Sequence, residues 1–133
     1  MDPKLFNGSV LAYIGDGVLE VMVREYLVLN KHYTHAKDLQ FSSIDFVSAN
    51  AHTKFIEYAT LNNVFTEEEM IYFKRGKNVK EHRTLSKNVS RYMHGLSTGF
   101  EAVIGYLYLT HEQERLKEIF DIFVEFVEEG QGE

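Results

Sequence analysis

Apolar residues recur every three or four positions along most of this chain, and no alternating run is long enough to predict a strand. The pattern therefore predicts an all-α helical bundle, with helices expected at 5–29, 34–40, 44–61, 66–74, 96–110 and 111–129. One face of the last helix collects Leu116, Ile119, Phe120, Phe123 and Val127. The polar and basic residues 76–90 have no such periodicity and predict a loop.

Short polar side chains indicate where these helices begin, because they can bond the free N–H groups of a first turn. In chain order, the expected caps and breaks are Asn7 or Ser9, Thr34, the Ser42-Ser43 pair, Thr66, and Ser97 or Thr98. Thr66 is followed by three glutamates, which gives the spacing of a capping box.

Length and composition limit the class of protein. The 133 residues fit a single domain over 1–133, and 44% hydrophobic residues suffice for a core. There is no cysteine, which excludes a disulfide scaffold, a thiolate zinc site and cysteine catalysis, and suits the cytoplasm. We expect neither a signal peptide nor a membrane span. The six histidines form no convincing site, and we expect them at the surface.

The charge is unevenly distributed. The net charge of −6 disfavours a nucleic-acid ligand, but residues 74–94 carry +6 and leave −12 for the rest of the chain. An acidic protein can still bind a polyanion through one basic patch. The candidate phosphate contacts are Lys74, Arg75, Lys77, Asn78, Lys80, Arg83, Lys87, Asn88 and Arg91. The alternative is a solvated loop that aids solubility.

Two of the predicted helices are almost free of charge. Asp16 and Glu20 are the only charged residues in 5–23, and Glu101 is the only one in 96–110. Burying an ionised carboxylate is costly unless it is paired or binds a metal. If these helices pack together, Glu101 can face Asp16, and clustered carboxylates suit Mg²⁺. Alternatively, the acids simply reach solvent, and Glu20 pairs with Arg24 one turn away.

Glycines flank these acids at positions 15, 17, 99 and 105. Glycine inside a helix costs about 0.5–1 kcal/mol relative to alanine, so another effect must offset that cost. Close approach of two helices is the simplest explanation, and it would bring the acids together.

Two segments on these helices resemble known motifs. Residues 10–19, Val-Leu-Ala-Tyr-Ile-Gly-Asp-Gly-Val-Leu, resemble the signature of the ribonuclease III family. Residues 100–109, Phe-Glu-Ala-Val-Ile-Gly-Tyr-Leu-Tyr-Leu, resemble the second motif of that family. Full-length enzymes of the family have two further carboxylates, at the positions where this chain has Ala12 and Thr98.

The resemblance is closer to the Mini-III ribonucleases, a small bacterial subgroup that has only the catalytic domain. Shared features are Ala-Tyr-Ile-Gly-Asp at 12–16, an acid at Glu20, Ser-Thr-x-Phe-Glu-Ala at 97–102, Thr-Glu-Glu-Glu at 66–69 and Arg-Gly-Lys-Asn at 75–78. The resemblance covers nearly the whole chain and is weakest at residues 80–91.

This resemblance implies a homodimeric endoribonuclease that cleaves double-stranded RNA with Mg²⁺ and leaves 5′-phosphate and 3′-hydroxyl ends. Asp16 and Glu101 are the expected catalytic metal ligands, with Glu20 as a further ligand through a water molecule. Tyr13, Leu11 and Phe6 are candidates for the dimer interface. The implied substrate is the large-subunit (23S) ribosomal RNA precursor, bound together with a large-subunit ribosomal protein.

Two other hypotheses stay open from the sequence. The chain could be a catalytically impaired dimeric RNA-binding module of the same fold, because Ala12 and Thr98 replace two carboxylates of the family. It could also be a helical interaction domain whose acidic surface meets a basic ribosomal protein. Dependence of cleavage on a metal separates the enzyme from both of these.

Overall fold

The computed structural model describes residues 1–79 and 89–130, and every regular element in these ranges is helical. After a short 3-10 turn at Pro3–Leu5, the helices are α1 (Gly8–Asn30), α2 (Ala36–Val47), α3 (Ala49–Leu61), α4 (Glu67–Lys77), α5 (Arg91–Leu109) and α6 (Gln113–Glu128). The all-α prediction is confirmed. Within the described ranges, no helix is long and apolar enough to cross a membrane.

Helix α5 lies at the centre of the bundle and packs against α1, α3, α4 and α6. Phe100 of α5 is fully buried, and its ring centroid lies 5.3 Å from that of Phe55 and 5.1 Å from that of Phe123. These three rings join α3, α5 and α6. The apolar face predicted for α6 is buried at Leu116, Ile119, Phe120 and Phe123, while Val127 is half-buried.

Two predicted helix starts are confirmed in their atomic detail. The side chain of Asn7 accepts a hydrogen bond from the backbone N–H of Val10 and caps α1. At α4, Thr66 accepts from the N–H of Glu69, and the Glu69 carboxylate accepts from the N–H of Thr66. The capping box therefore occurs as predicted.

The boundary predicted between the second and third helices is wrong. Helix α2 continues through Ser43, whose hydroxyl donates to the carbonyl of Gln40 at 2.7 Å, so the serine is accommodated inside the helix. The break lies at Ser48, which caps α3 by accepting from the N–H of Ala51. Thr34 caps no helix, because α2 begins after His35.

The predicted start of α5 is also wrong, by five residues. Ser90 caps this helix by accepting from the N–H of Met93. Thr98, an expected cap, lies inside the helix, where its hydroxyl donates to the carbonyl of His94 at 2.8 Å. At its other end, the segment predicted as a loop overlaps α4, which includes residues 76 and 77. Residues 80–88 lie outside the described part of the chain.

Candidate active site

Asp16 of α1 and Glu101 of α5 line the same cleft, whose volume is about 270 Å³. The other described residues of its lining are Ser9, Ala12, Tyr13, Val79, His94 and Thr98. Asp16 is exposed and Glu101 is half-buried. The structure therefore brings together the two carboxylates that the sequence singled out on nearly uncharged helices.

Asp16 and Glu101 share this cleft because two glycines let the backbones of α1 and α5 touch. A Cβ atom built on Gly15 would lie 1.7 Å from the carbonyl oxygen of Glu101. One built on Gly105 would lie 2.0 Å from the carbonyl oxygen of Leu11. No side chain fits at either position, so the predicted close approach is correct. Gly17 has no atom within 4 Å of such a Cβ, so helix packing within the chain does not explain that glycine.

Small side chains occupy the two positions where the ribonuclease III signature implies further acids. Ala12 and Thr98 are both largely buried in the wall of the cleft. Across the described residues, no group of three or more His, Asp or Glu side chains is placed to hold a metal ion. The site thus offers two carboxylates and room for water. Mg²⁺ is often bound by one or two carboxylates and several waters, so this donor set fits that ion.

Glu20 does not line this cleft. It lies one turn beyond Asp16, and its Oε1 accepts from Nη2 of Arg24 at 3.1 Å. This is the local pairing that the sequence offered as the alternative to a metal role.

The basic residues at the end of α4 lie beside the cleft. Val79 contributes to its lining, and a Cβ atom on Gly95 of α5 would lie 3.3 Å from the carbonyl oxygen of Lys77. Lys74, Lys77 and Asn78 are exposed. Arg91 is also exposed and opens α5. The other candidate contacts, Lys80, Arg83, Lys87 and Asn88, lie outside the described residues.

Arg75 differs from its basic neighbours because its guanidinium is engaged within the chain. Nη1 donates to the carbonyl oxygens of Lys4 at 2.6 Å and Phe6 at 3.1 Å. The guanidinium also lies over the ring of Tyr72, 4.8 Å from its centroid. Arg75 therefore ties the N-terminal segment to α4, a role that the sequence did not predict.

His52 contradicts the expectation that all histidines lie at the surface. It is 1% exposed, and its Nε2 lies 2.9 Å from the carbonyl oxygen of Phe46. A carbonyl oxygen only accepts, so Nε2 carries the proton and Nδ1 accepts from the Ser97 hydroxyl at 2.8 Å. Burial lowers the pKa of His52 to about 4, although the Phe46 carbonyl and the nearby Asp16 carboxylate both act to raise it.

The three residues proposed for a dimer interface differ in exposure. Tyr13 is 84% exposed and Phe6 is half-buried, whereas Leu11 is fully buried in the core of this chain. Leu11 is therefore wrong as an interface residue. The exposed apolar side chains of α1 that the sequence did not single out are Val10, Val21, Val28 and Leu29.

Comparison with known proteins identifies the family of this chain. A family model described as the ribonuclease III domain matches residues 9–112, a range that holds both Asp16 and Glu101. The chain belongs to the ribonuclease III family. Family members hydrolyse RNA, so this ribonuclease III chain is an endoribonuclease with an RNA substrate, and the two non-catalytic hypotheses are not supported.

Relatives of similar length place the chain more narrowly within the ribonuclease III family. The Mini-ribonuclease 3 of Clostridium tetani is 43% identical over 129 residues, covering 97% of this chain and 83% of that protein. The Mini-ribonuclease 3 of Staphylococcus aureus is 40% identical over 126 residues, covering 95% and 92%. The predicted resemblance to the Mini-III subgroup is confirmed.

A crystal structure supports the same fold. A protein from Fusobacterium nucleatum superimposes with a TM-score of 0.80 at 25% identity, over 94% of this chain and 99% of that one.

Proposed function

We propose that this ribonuclease III chain acts as a single catalytic domain over residues 1–133 and cleaves double-stranded RNA with Mg²⁺, held by Asp16 and Glu101. The observation that supports this proposal is that both carboxylates line one open cleft. When bound there, Mg²⁺ supplies an activated water for phosphodiester hydrolysis and offsets the charge that develops during cleavage. The expected ends are a 5′-phosphate and a 3′-hydroxyl.

The chain contributes a fixed separation between the backbone positions of its two ligands. Asp16 follows Gly15 directly, and Glu101 is the residue whose carbonyl oxygen meets Gly15. Because backbone touches backbone at this point, the packing of the two helices sets the distance between the Cα atoms of Asp16 and Glu101. Such preorganisation is what electrostatic catalysis requires.

The small residues Ala12 and Thr98 give this cleft fewer protein ligands than the family signature implies, so water is expected to complete the coordination of the ion. We propose that Glu20 acts at most through such a water, because its carboxylate is paired with Arg24.

The basic segment beside the cleft is proposed to hold the phosphates of the duplex. Lys74, Lys77, Asn78 and Arg91 are its exposed described members. Proteins contact A-form RNA mainly through its shape, its phosphates and its 2′-hydroxyl groups. We propose that Lys80, Arg83, Lys87 and Asn88 also bind phosphates. Arg75 supports the described part of this surface by fixing the N-terminal segment. Binding should be steeply sensitive to salt.

A homodimer is proposed to place two such clefts across one duplex. The outer surface of α1 supports this, because Val10, Tyr13 and Val21 are exposed there and Gly17 leaves open space between them. A two-fold axis through this surface would make a self-complementary interface. Each subunit would then cut one strand.

The proposed cellular substrate is the large-subunit (23S) ribosomal RNA precursor, processed in the cytoplasm together with a large-subunit ribosomal protein. Similarity to the Mini-ribonuclease 3 group over nearly the full chain supports this proposal.

A cleavage assay tests the proposed site. Long duplex RNA is incubated at low salt with Mg²⁺ and the wild type, Asp16→Asn or Glu101→Gln, with EDTA as a metal-free control. Each variant is expected to cleave about 100-fold more slowly or worse, since each removes one of the two carboxylates among the described residues of the cleft. Glu25→Gln is the matched control, because Glu25 is exposed on the same helix and does not line the cleft. If Asp16→Asn cleaves like the wild type, the proposed metal site is wrong.

A further inference from the structure

A ridge of charged side chains continues along α1 beyond the cleft. Asp16, Glu20 and Arg24 follow one another at intervals of four residues. Side chains four positions apart are neighbours on a helix surface, and each lies about 6 Å further along the axis than the one before. Arg24 is the only basic residue of α1. The single positive charge of this helix therefore lies on the same ridge as the proposed metal ligand Asp16.

The guanidinium of Arg24 is turned back along this ridge. Oε1 of Glu20 accepts a hydrogen bond from Nη2 of Arg24 at 3.1 Å and from Nε at 3.4 Å. Long side chains on a helix ordinarily point toward its N-terminus, so this orientation needs no strain. The Cα atoms of Arg24 and Asp16 differ by about 12 Å along the axis, but the guanidinium lies over the turn of Glu20. Its charge is therefore only about one turn beyond Asp16.

The pair of Glu20 and Arg24 leaves part of the guanidinium open to a ligand. The side chain of Arg24 is 62% exposed and that of Glu20 is 32% exposed, and exposed pairs of this kind contribute little to stability. A guanidinium carries five N–H donors in one plane. The bonds to Glu20 use Nε and one N–H of Nη2, which leaves the remaining donors available to a further acceptor.

A phosphate of the RNA is the acceptor that suits this position. Guanidinium groups bind phosphate oxygens through two parallel hydrogen bonds. The basic end of α4 contacts α1 at its first turn, where a Cβ atom on Gly8 would lie 2.1 Å from the carbonyl oxygen of Arg75. Arg24 is 16 residues, or about 24 Å, further along the same helix. Without Arg24, the ridge beyond Asp16 would present only the negative charge of Glu20 to a polyanion.

We propose that Arg24, held by Glu20, binds a phosphate of the cleaved strand next to the scissile one. This contact rests on the proposed function, because it needs the scissile phosphate at Asp16. It adds a cation to the RNA surface on α1, separate from the basic segment at the end of α4. It also gives the Glu20 carboxylate a partner that serves RNA binding and not the metal.

The first test measures binding of duplex RNA at several salt concentrations, in an Asp16→Asn background with EDTA so that the RNA stays intact. Arg24→Gln is expected to weaken binding about tenfold, because a charge-assisted hydrogen bond is lost. The plot of log binding constant against log salt concentration should become shallower by about one unit of slope. Arg24→Lys keeps the charge, so it should keep the slope.

Lys117→Gln is the matched control for this test. Lys117 is also exposed and pairs with an acid four residues away, Asp121, but it lies on α6 and does not line the cleft. Its substitution should change neither the affinity nor the slope. If Arg24→Gln binds RNA as Lys117→Gln does, the proposed contact is wrong.

The second test separates a phosphate contact from simple neutralisation of Glu20. If Arg24 only cancels the charge of Glu20, the double variant Glu20→Gln with Arg24→Gln should bind RNA like the wild type, and the proposal is overturned. If Arg24 holds a phosphate, the double variant should bind as weakly as Arg24→Gln alone. Sedimentation velocity should show the same oligomeric state for Arg24→Gln and the wild type. A change would mean that Arg24 serves a protein interface instead.

This contact and the proposed function fail in different ways. If Lys77→Ala weakens RNA binding while Arg24→Gln does not, only the Arg24 contact is overturned. If the wild type does not bind duplex RNA at low salt, the proposed function fails and the contact falls with it. The Mg²⁺ concentration for half-maximal cleavage should be the same for Arg24→Gln and the wild type, since Arg24 is not a metal ligand.

Discussion

Arg115 and Glu69 form a two-pronged ion pair that joins α6 to α4. Nε of Arg115 lies 2.7 Å from Oε2 of Glu69, and Nη2 lies 2.8 Å from Oε1. Nη2 also donates to the carbonyl of Val64 at 2.6 Å. Burial would raise the pKa of Glu69, but the hydrogen bonds from Arg115 and Thr66 outweigh it, so this pKa lies below its ordinary value. One carboxylate thus completes a helix cap and anchors a second helix.

Glu69→Gln is expected to lower the free energy of unfolding by about 2–3 kcal/mol, because it removes the charge that compensates a largely buried guanidinium. Denaturant unfolding at pH 7 measures the change. Glu118→Gln is the matched control, since Glu118 pairs with the same Arg115 but is exposed, and its loss should cost less than about 0.5 kcal/mol. Equal effects of the two substitutions would contradict the role given to the buried pair.

Because His52 is buried and neutral, we expect the free energy of unfolding to fall in mild acid. The imidazole is neutral in the folded chain, with a pKa of about 4 against 6.5 when unfolded. Its contribution is therefore complete above pH 6.5 and is lost as the pH falls toward 4. At pH 5 the loss should amount to about 2 kcal/mol relative to pH 7.

The measurement is the free energy of unfolding at pH 7 and pH 5 for the wild type and His52→Gln. The variant has no imidazole to protonate, so the difference between its two values should be smaller by about the same 2 kcal/mol. Parallel pH dependences would show that another group is responsible.

Gly105→Ala is expected to destabilise the chain by about 3 kcal/mol or more, because the new methyl group would meet the carbonyl oxygen of Leu11. Backbone cannot swing aside as a flexible side chain can. Gly17→Ala is the control on the partner helix, where the space is open, and should stabilise an isolated protomer slightly. Thermal unfolding of both variants at one protein concentration compares them. If Gly105→Ala unfolds at the same temperature as the wild type, the two helices can move apart to accept the methyl group.

Tyr13→Asp is expected to dissociate the proposed dimer. The substitution introduces a charge on the exposed apolar surface of α1, where a partner subunit would bury it. Sedimentation velocity over a range of protein concentrations measures the oligomeric state. Leu61→Asp is the matched control, because Leu61 is 83% exposed on α3, close to the 84% of Tyr13. If both variants sediment like the wild type, α1 does not form the interface.

Arg75 and Lys77 are expected to differ although they are close neighbours of the same charge. Lys77→Ala should weaken binding to duplex RNA of any sequence. It should also make the plot of log binding constant against log salt concentration shallower, by about one unit of slope. Arg75→Ala should instead cost about 1 kcal/mol of stability, through loss of its bonds to Lys4 and Phe6. Binding isotherms at several salt concentrations and denaturant unfolding separate the two effects. An unchanged salt slope for Lys77→Ala would remove it from the RNA surface.

Sequence periodicity was sufficient for the helical class and for the pairing of α1 with α5. The scarcity of charge around Asp16 and Glu101, together with glycines at 15 and 105, already indicated two helices in close contact. Such features are local, and each has one simple physical cause.

Helix boundaries and buried polar residues were harder to predict, because they depend on partners distant in sequence. Ser43 and Thr98 looked like caps, yet both satisfy their hydroxyls on carbonyls of their own helices. His52 is buried because the Phe46 carbonyl and the Ser97 hydroxyl occupy both of its ring nitrogens. Nothing in the residues next to it along the chain indicates either bond.

The backbone contact between α1 and α5 also determines which mutations the active site can tolerate. Since main chain sets the spacing of Asp16 and Glu101, exchanging one core side chain for another of similar volume should leave that spacing unchanged. Natural variation of the core is then nearly independent of catalysis. Tolerance ends at positions 15 and 105, where a single methyl group would push the two helices apart. A library of random variants screened for activity should therefore retain glycine at these two positions more strictly than any residue of the aromatic core.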